Sequence, residues 1–355
     1  MSDPEIICER RGAAGFILLN RPDALNALTP PMVRALGASL LQWDQDPAIA
    51  RVVIRGAGNR AFCVGGDIRL IRDQGLAGDH ASQLSFWRAE YQLNRMIARY
   101  KKPYVALMDG FVMGGGAGVS IHGSHRIAGD RLAFAMPEVS IGFFPDVGST
   151  FFLSRLPHRI GVWLALAGAR IGAGDACASG LATTFVPSAE YDALAEALTL
   201  QGDTNALIAR FSAPAPAPAT AAHFKLIETC FDAPDIATIL SRLDAAAARS
   251  SDSFATVTAA GLRQNSPTSL AIALRQMQLG AGLTIEDALR AEFRIVSRIC
   301  RRHDLYEGVR AAIIDKGSAP QWRPARLEDI VPSDIDTCFA PLGADELEFP
   351  MEALA

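Results

Sequence analysis

No stretch of this 355-residue sequence stays apolar long enough to cross a bilayer, and runs such as Val162 to Ala167 cover only a few residues. An export signal is also missing. Met1-Ser2-Asp3-Pro4-Glu5 is acidic and has neither a hydrophobic segment nor the arginines of a transit peptide, so a cytoplasmic protein is expected. There is no basic excess: 34 Lys and Arg face 38 Asp and Glu, a formal net charge of -4, which leaves nucleic acid without an electrostatic footprint. Cys8, Cys63, Cys177, Cys230, Cys300 and Cys338 form no C-x-x-C pair, and reduced thiols are expected in a long chain of this kind. His122, His125, His158, His223 and His303 make no zinc-ligand frame with a Cys or Glu partner, so no metal is expected. Global disorder is excluded as well, since half the residues are hydrophobic and only 20% are charged.

What is present is an alternation of short apolar strands, glycine-rich loops and helices. Ile6-Ile7-Cys8 and Phe16-Ile17-Leu18-Leu19 flank Gly12 and Gly15 and read as a hairpin. Thr29-Pro30-Pro31 starts a helix with the apolar stripe Met32, Leu36 and Leu40, running to about Asp44. Arg51 to Gly56 and Tyr104 to Met108 read as buried strands, and Phe86 to Tyr100 as a helix. A helix is expected from Asp67, another over Val119 to His122, and strands over Arg126 to Ala128 and Leu132 to Ala135. Such units in series predict an α/β fold over residues 1–186. From 187 to 355 the texture becomes a linker and a helical carboxy-terminal region. It contains the Ala-Pro spacer Ala213 to Ala219 and helix starts at Ser266 and Thr284.

Two glycine loops carry chemistry. Ala61-Phe62-Cys63-Val64-Gly65-Gly66-Asp67 follows one buried strand, and Met113 to Gly118 follows another. Loops of this type bare backbone N–H groups, and two donors converging from separate loops would hold an oxyanion. Taken singly, each loop could equally serve a tight turn. The run from Gly114 misses the last glycine of G-x-G-x-x-G, no G-x-x-x-x-G-K-[ST] occurs, and His122 spoils a G-x-S-x-G elbow. Two acids follow apolar segments: Glu138 after Met136-Pro137, and Asp146, eight positions on, after Phe144-Pro145. In aromatic and aliphatic surroundings their charge is costly, which raises the pKa and suits an acid, base or nucleophile. Two solvated loop acids are the plainer alternative.

With Asn20-Arg21-Pro22, the Ala61–Asp67 loop and Gly114-Gly115-Gly116, the sequence resembles the crotonase (enoyl-CoA hydratase/isomerase) superfamily. Phe134 to Glu138, Ile141 to Gly148, Ser266 to Leu270 and His303 to Arg310 resemble its 3-hydroxyisobutyryl-CoA hydrolase branch. The resemblance implies a crotonase-like spiral of ββα units with a helical C-terminal region packing on the core. It implies an acyl-CoA thioester whose carbonyl oxygen lies between the N–H groups of Val64 and Gly115, with Gly65, Gly66, Asp67 and Gly114 also lining the substrate. Glu138 matches the second glutamate of the hydratases, but Gly118 stands where the first belongs. Asp146 matches the acid of the hydrolase branch. Glu90 matches a substrate-contacting glutamate, against the alternative of an exposed helix residue pairing with Arg88 or Arg95. Val64 replaces a common alanine, and Ser149-Thr150 a common glycine pair. The expected reaction is hydrolysis of 3-hydroxyisobutyryl-CoA, a step of valine breakdown, with no cofactor or metal. The alternatives are an enoyl-CoA hydratase/isomerase and a catalytically silent acyl-CoA-binding protein. Relatives often form trimers or hexamers, which leaves a homo-oligomer open.

Overall fold

The computed structural model describes residues 3–250 and 253–349. Among these residues, nine strands form two sheets. The larger contains β1 (Ile6–Arg11), β2 (Ala14–Leu19), β3 (Arg51–Gly56), β5 (Tyr104–Met108), β7 (His125–Ala128) and β9 (Thr184–Phe185), in that order. The smaller contains β4 (Ala61–Cys63), β6 (Phe111–Met113) and β8 (Ala133–Ala135). β1 and β2 pair antiparallel, as a hairpin, and the other pairs of these nine strands are parallel. Each strand of the smaller sheet follows a strand of the larger one after a few residues: β3 leads into β4, β5 into β6, β7 into β8. Between these pairs lie α2 (Ile68–Leu76), α3 (His80–Ala98) and α4 (Gly115–Gly118), while α1 (Pro30–Gln45) precedes the first. The chain therefore winds as a spiral of ββα turns.

The larger sheet is buried on both faces, as parallel sheets are. Val52, Ile54, Ala106 and Met108 join the main core, while Val53, Val105 and Leu107 point to a second cluster. The period of two along β3 and β5 makes this division. The second cluster is covered by α8 (Tyr191–Ala197) and α9 (Thr204–Ala209), which follow α5 (Ser149–Phe152), α6 (Ile160–Ala167) and α7 (Ala173–Ser179). Arg51, fully buried, ties this side together by donating to the carbonyls of Leu198, Leu200 and Gly202 and to Thr204.

The rest is helical: α10 (Phe224–Phe231), α11 (Ile236–Ser250), α12 (Ser253–Gln264), α13 (Pro267–Gly280), α14 (Ile285–Ile299), α15 (His303–Val309) and α16 (Pro332–Phe339). Several helix starts follow their caps. Thr29, Asp67, Ser266 and Thr284 each accept the expected N–H with a side-chain oxygen. Two expectations need correction. The helix read from Phe86 begins at His80, because Asp79 caps it by accepting from Ser82. The helix read over Val119 to His122 is instead the glycine run Gly115–Gly118, and the residues after it turn. The Ala-Pro spacer runs against the core: a methyl on Gly174 of α7 would lie 2.6 Å from the Pro216 carbonyl oxygen. All six cysteines are unpaired.

Two glycine contacts join the carboxy-terminal helices to the core. A methyl on Gly142 would lie 2.1 Å from the Asp304 carbonyl oxygen, and one on Gly308 would lie 2.2 Å from the Ile141 carbonyl carbon. Thus α15 lies backbone against backbone on the turn Glu138–Ile141. Asp304 locks the contact, accepting from Ser266 Oγ at 2.7 Å and from the Arg323 N–H at 2.8 Å. Gly142 also adopts a φ of 70°. Gly142→Ala should therefore lower unfolding free energy by about 2 kcal/mol or more, from the left-handed backbone and the clash together. Urea denaturation would measure this, and an unchanged midpoint would show that the contact bears no load.

Candidate active site

The two glycine loops come together at the ends of β4 and β6. A methyl on Gly65 would lie 3.2 Å from the Gly115 nitrogen, and one on Gly114 would lie 3.4 Å from the Gly65 Cα. Among the described residues, the N–H groups of Val64 and Gly115 donate to no protein acceptor. The first loop is held from outside. Leu28 donates to the Gly65 carbonyl at 2.7 Å, Asp67 donates back to Leu28 at 3.0 Å, and Arg21 pairs with Asp67 at 3.1 Å. So Arg21, of Asn20-Arg21-Pro22, braces the loop, and Asp67 serves as helix cap and ion-pair partner at the cavity edge.

The loops open into a cavity of about 670 Å³. Val64, Gly65, Gly66, Asp67, Gly114 and Gly115 line it, and so do all three acids, Glu90, Glu138 and Asp146. Glu138 heads its short turn directly after Pro137 and is 6% exposed. A methyl on Gly114 would lie 3.2 Å from its Oε1, while its Oε2 has no hydrogen-bond partner. Asp146 is 5% exposed and accepts from the Tyr91 hydroxyl at 2.8 Å. Glu90 is 2% exposed, and its Oε1 lies 2.4 Å from where a methyl on Gly115 would sit. That oxygen has no partner either. Arg88 and Arg95 turn elsewhere, to the carbonyls of Asp345 and Glu346 and to the Glu286 carboxylate. Trp87 and Phe143 stack across the cavity wall, their rings 5.6 Å apart.

Burial dominates the electrostatics. It lifts Asp146 to about 7, against a lowering hydrogen bond from Tyr91. Burial also holds Glu90 and Glu138 well above the usual carboxylate range, and the nearby Asp146 charge adds to both. Groups this close titrate together. Among the described residues, no three His, Cys, Asp or Glu side chains are grouped so as to hold a metal.

Tyr91, Trp87 and Phe143 are site residues that sequence reasoning did not single out. A signal existed for two of them, since Trp87 lies one turn before Glu90 on α3 and Tyr91 adjoins it. The position of Gly118 is equally telling. A methyl there would meet Asn94 Nδ2 at 2.7 Å and Val147 Cβ at 2.8 Å, so no side chain fits.

A family model described as enoyl-CoA hydratase/isomerase matches residues 14–339. The chain belongs to the enoyl-CoA hydratase/isomerase family. It is 39% identical to the mitochondrial 3-hydroxyisobutyryl-CoA hydrolase of Gallus gallus, over 98% of this chain and 91% of that protein. It is 39% identical to the Homo sapiens protein of the same name, over 97% and 91%. A solved structure titled carnitinyl-CoA dehydratase, from Mycobacterium thermoresistibile, superposes with a TM-score of 0.93 at 38% identity, covering 99% of this chain and 100% of that one. Another, titled enoyl-CoA hydratase, from Rhodobacter sphaeroides 2.4.1, gives 0.89 at 41%, covering 98% and 100%. The family's spiral fold is thus established for this chain.

Asp146 should couple stability to pH. Its folded value, about 7, exceeds the ordinary 3.8, so the folded state keeps a proton that the unfolded chain has lost. The stability from that proton is complete below pH about 4 and disappears as the pH rises through about 7. Asp146→Asn should then be more stable than wild type at pH 8, on the order of 2 kcal/mol, with the advantage gone at pH 4. Thermal melts at both pH values would check it, and a variant less stable at pH 8 would contradict it.

Proposed function

We propose that this enzyme hydrolyses a short 3-hydroxyacyl-CoA thioester, with 3-hydroxyisobutyryl-CoA as substrate and 3-hydroxyisobutyrate and CoA as products. The names of similar proteins divide between hydrolase and hydratase or dehydratase. The observation that carries the hydrolase reading is the pairing of buried Glu138 and Asp146 with a Gly118 position that has no room for a second catalytic glutamate. The full-length similarity to proteins named 3-hydroxyisobutyryl-CoA hydrolase supports it. The place of the reaction in valine breakdown and a cytoplasmic location belong to the same proposal. The word mitochondrial in the relatives' names describes those proteins.

In this reading the thioester carbonyl accepts from the Val64 and Gly115 N–H groups. Both donors are unspent and fixed before the substrate arrives, so they stabilise the oxyanion at little reorganisation cost. Glu138, reacting as its carboxylate once its proton has passed to Asp146, attacks the carbonyl carbon, or takes the proton from a water that does. The tetrahedral oxyanion collapses and the C–S bond breaks; where Glu138 itself has attacked, water then cleaves the mixed anhydride, freeing the hydroxy acid and the Glu138 carboxyl. Asp146, whose proton affinity burial lifts to about 7, supplies a proton to the leaving thiolate. Glu90, kept neutral by burial, donates its own proton in a hydrogen bond to the 3-hydroxyl. No cofactor is needed.

Incubation with 3-hydroxyisobutyryl-CoA should release free thiol, whereas crotonyl-CoA should be neither hydrated nor cleaved at a comparable rate. Hydration of crotonyl-CoA without thiol release would replace this reading with the hydratase one. Binding without turnover would leave a silent acyl-CoA-binding protein.

Glu138→Gln should reduce turnover by about a hundred- to ten-thousandfold. Adding Asp146→Asn should cost little more, because groups acting as a unit are not additive. Strictly multiplicative losses in the double variant would argue against a shared step.

A further inference from the structure

The residue after Asp146 has an unusual backbone. Val147 is fully buried with a φ of 55°, in the left-handed region that β-branched residues avoid, and Gly148 follows at 86°. Such a conformation persists only where the surroundings over-determine it. Here the surroundings are buried polar groups from distant parts of the chain. Glu292, on α14 and fully buried, accepts from the Gly148 N–H at 2.7 Å with one carboxyl oxygen and from the Thr150 N–H at 2.9 Å with the other. His122 Nε2 lies 2.7 Å from the Val147 carbonyl oxygen, which can only accept, so that nitrogen carries the proton. Gln276, on α13, donates to the Pro145 carbonyl at 3.0 Å and to Thr150 Oγ1 at 2.8 Å.

Glu292 stands out in this set. It is a fully buried carboxyl group that does not line the cavity, and both its oxygens accept from N–H groups of the turn that follows the strained residue. Its neighbour on α14, Phe293, packs edge to face on Tyr91, the residue that donates to the Asp146 carboxyl. One helix thus supports both the backbone and the side chain of Asp146.

We propose that Glu292 is the positioning residue for Asp146: its carboxyl oxygens hold the Gly148 and Thr150 N–H groups and keep the Val147–Gly148 backbone in the left-handed turn that directs Asp146 into the cavity. This rests on the catalytic role given to Asp146 above. Glu292 itself touches no substrate. Its contribution is a fixed distance between Asp146 and the reacting thioester, to which rates are steeply sensitive.

The test combines Glu292→Gln with Val147→Gly. Glu292→Gln is nearly isosteric but turns an NH2 group against one of the two N–H donors. Its kcat for 3-hydroxyisobutyryl-CoA should fall about ten- to a hundredfold, with KM little changed. Glycine adopts positive φ without a holder, so adding Val147→Gly should recover part of that loss. A merely structural role for Glu292 predicts no such recovery. A crystal structure of Glu292→Gln, free of any substrate, should show Val147 leaving the left-handed region and the Tyr91–Asp146 hydrogen bond broken. Wild-type kcat in Glu292→Gln, an unchanged turn, or a loss that Val147→Gly does not relieve would overturn the proposal. A wild-type enzyme that fails to cleave the thioester would instead overturn the hydrolase reading, and the crystal structure would still decide the positioning.

Discussion

Three buried carboxyl groups, Glu90, Glu138 and Asp146, share one largely apolar cavity, and the described residues offer none of them an ion pair. Taking a carboxylate out of water without a cation is expensive, and the inexpensive escape is a proton. The raised values at Glu90, Glu138 and Asp146 are that escape. Left to themselves, such side chains would swing towards solvent. Pro137 fixes the backbone before Glu138, Tyr91 holds Asp146, and the missing side chain of Gly115 leaves Glu90 its space. Much of the surrounding structure serves to keep expensive groups where they are useful, the usual trade between stability and activity.

Buried acids with raised proton affinities suit the chemistry of a thioester. A protonated carboxyl can give a hydrogen bond to a hydroxyl or a proton to a thiolate, and an ionised one can attack. A single set of side chains can do all three only if their proton affinities are shifted into the neutral range. Burial raises all three affinities here. The backbone donors of the glycine loops complement it, because N–H groups stabilise an oxyanion without bringing a charge that would pull the acids back to their ordinary values.

Much of this was legible in the sequence, and the part that was not has a common cause. The strand cores, the helix caps at Thr29, Asp67, Ser266 and Thr284, and the glycine loops announce themselves through neighbours a few residues away. Glu138 and Asp146 could be singled out because each follows a proline in an apolar run. The misread helix at Val119 to His122 shows the limit. Its apolar residues are buried, but Val119 gives its carbonyl to the Tyr104 hydroxyl at 2.9 Å, and a turn results. Tyr91 and Glu292 carried no local signal for their partners, which lie 55 and 144 positions away. Pattern reports periodicity and punctuation; it does not report which distant segment a buried polar group will meet.

The backbone contact between α15 and the turn bearing Glu138 has a consequence for how the enzyme comes into being. The wall of the cavity includes Leu305, Ala312 and Ile313, and Asp304 is locked by the N–H of Arg323. A chain emerging from the ribosome can wind its ββα turns early, since those contacts are made in order of synthesis. It cannot close the pocket until residues 303–323 have emerged and settled against Ile141 and Gly142. Until then the pocket that holds Glu90, Glu138 and Asp146 lacks part of its wall, and these side chains lack part of the burial that raises their proton affinities.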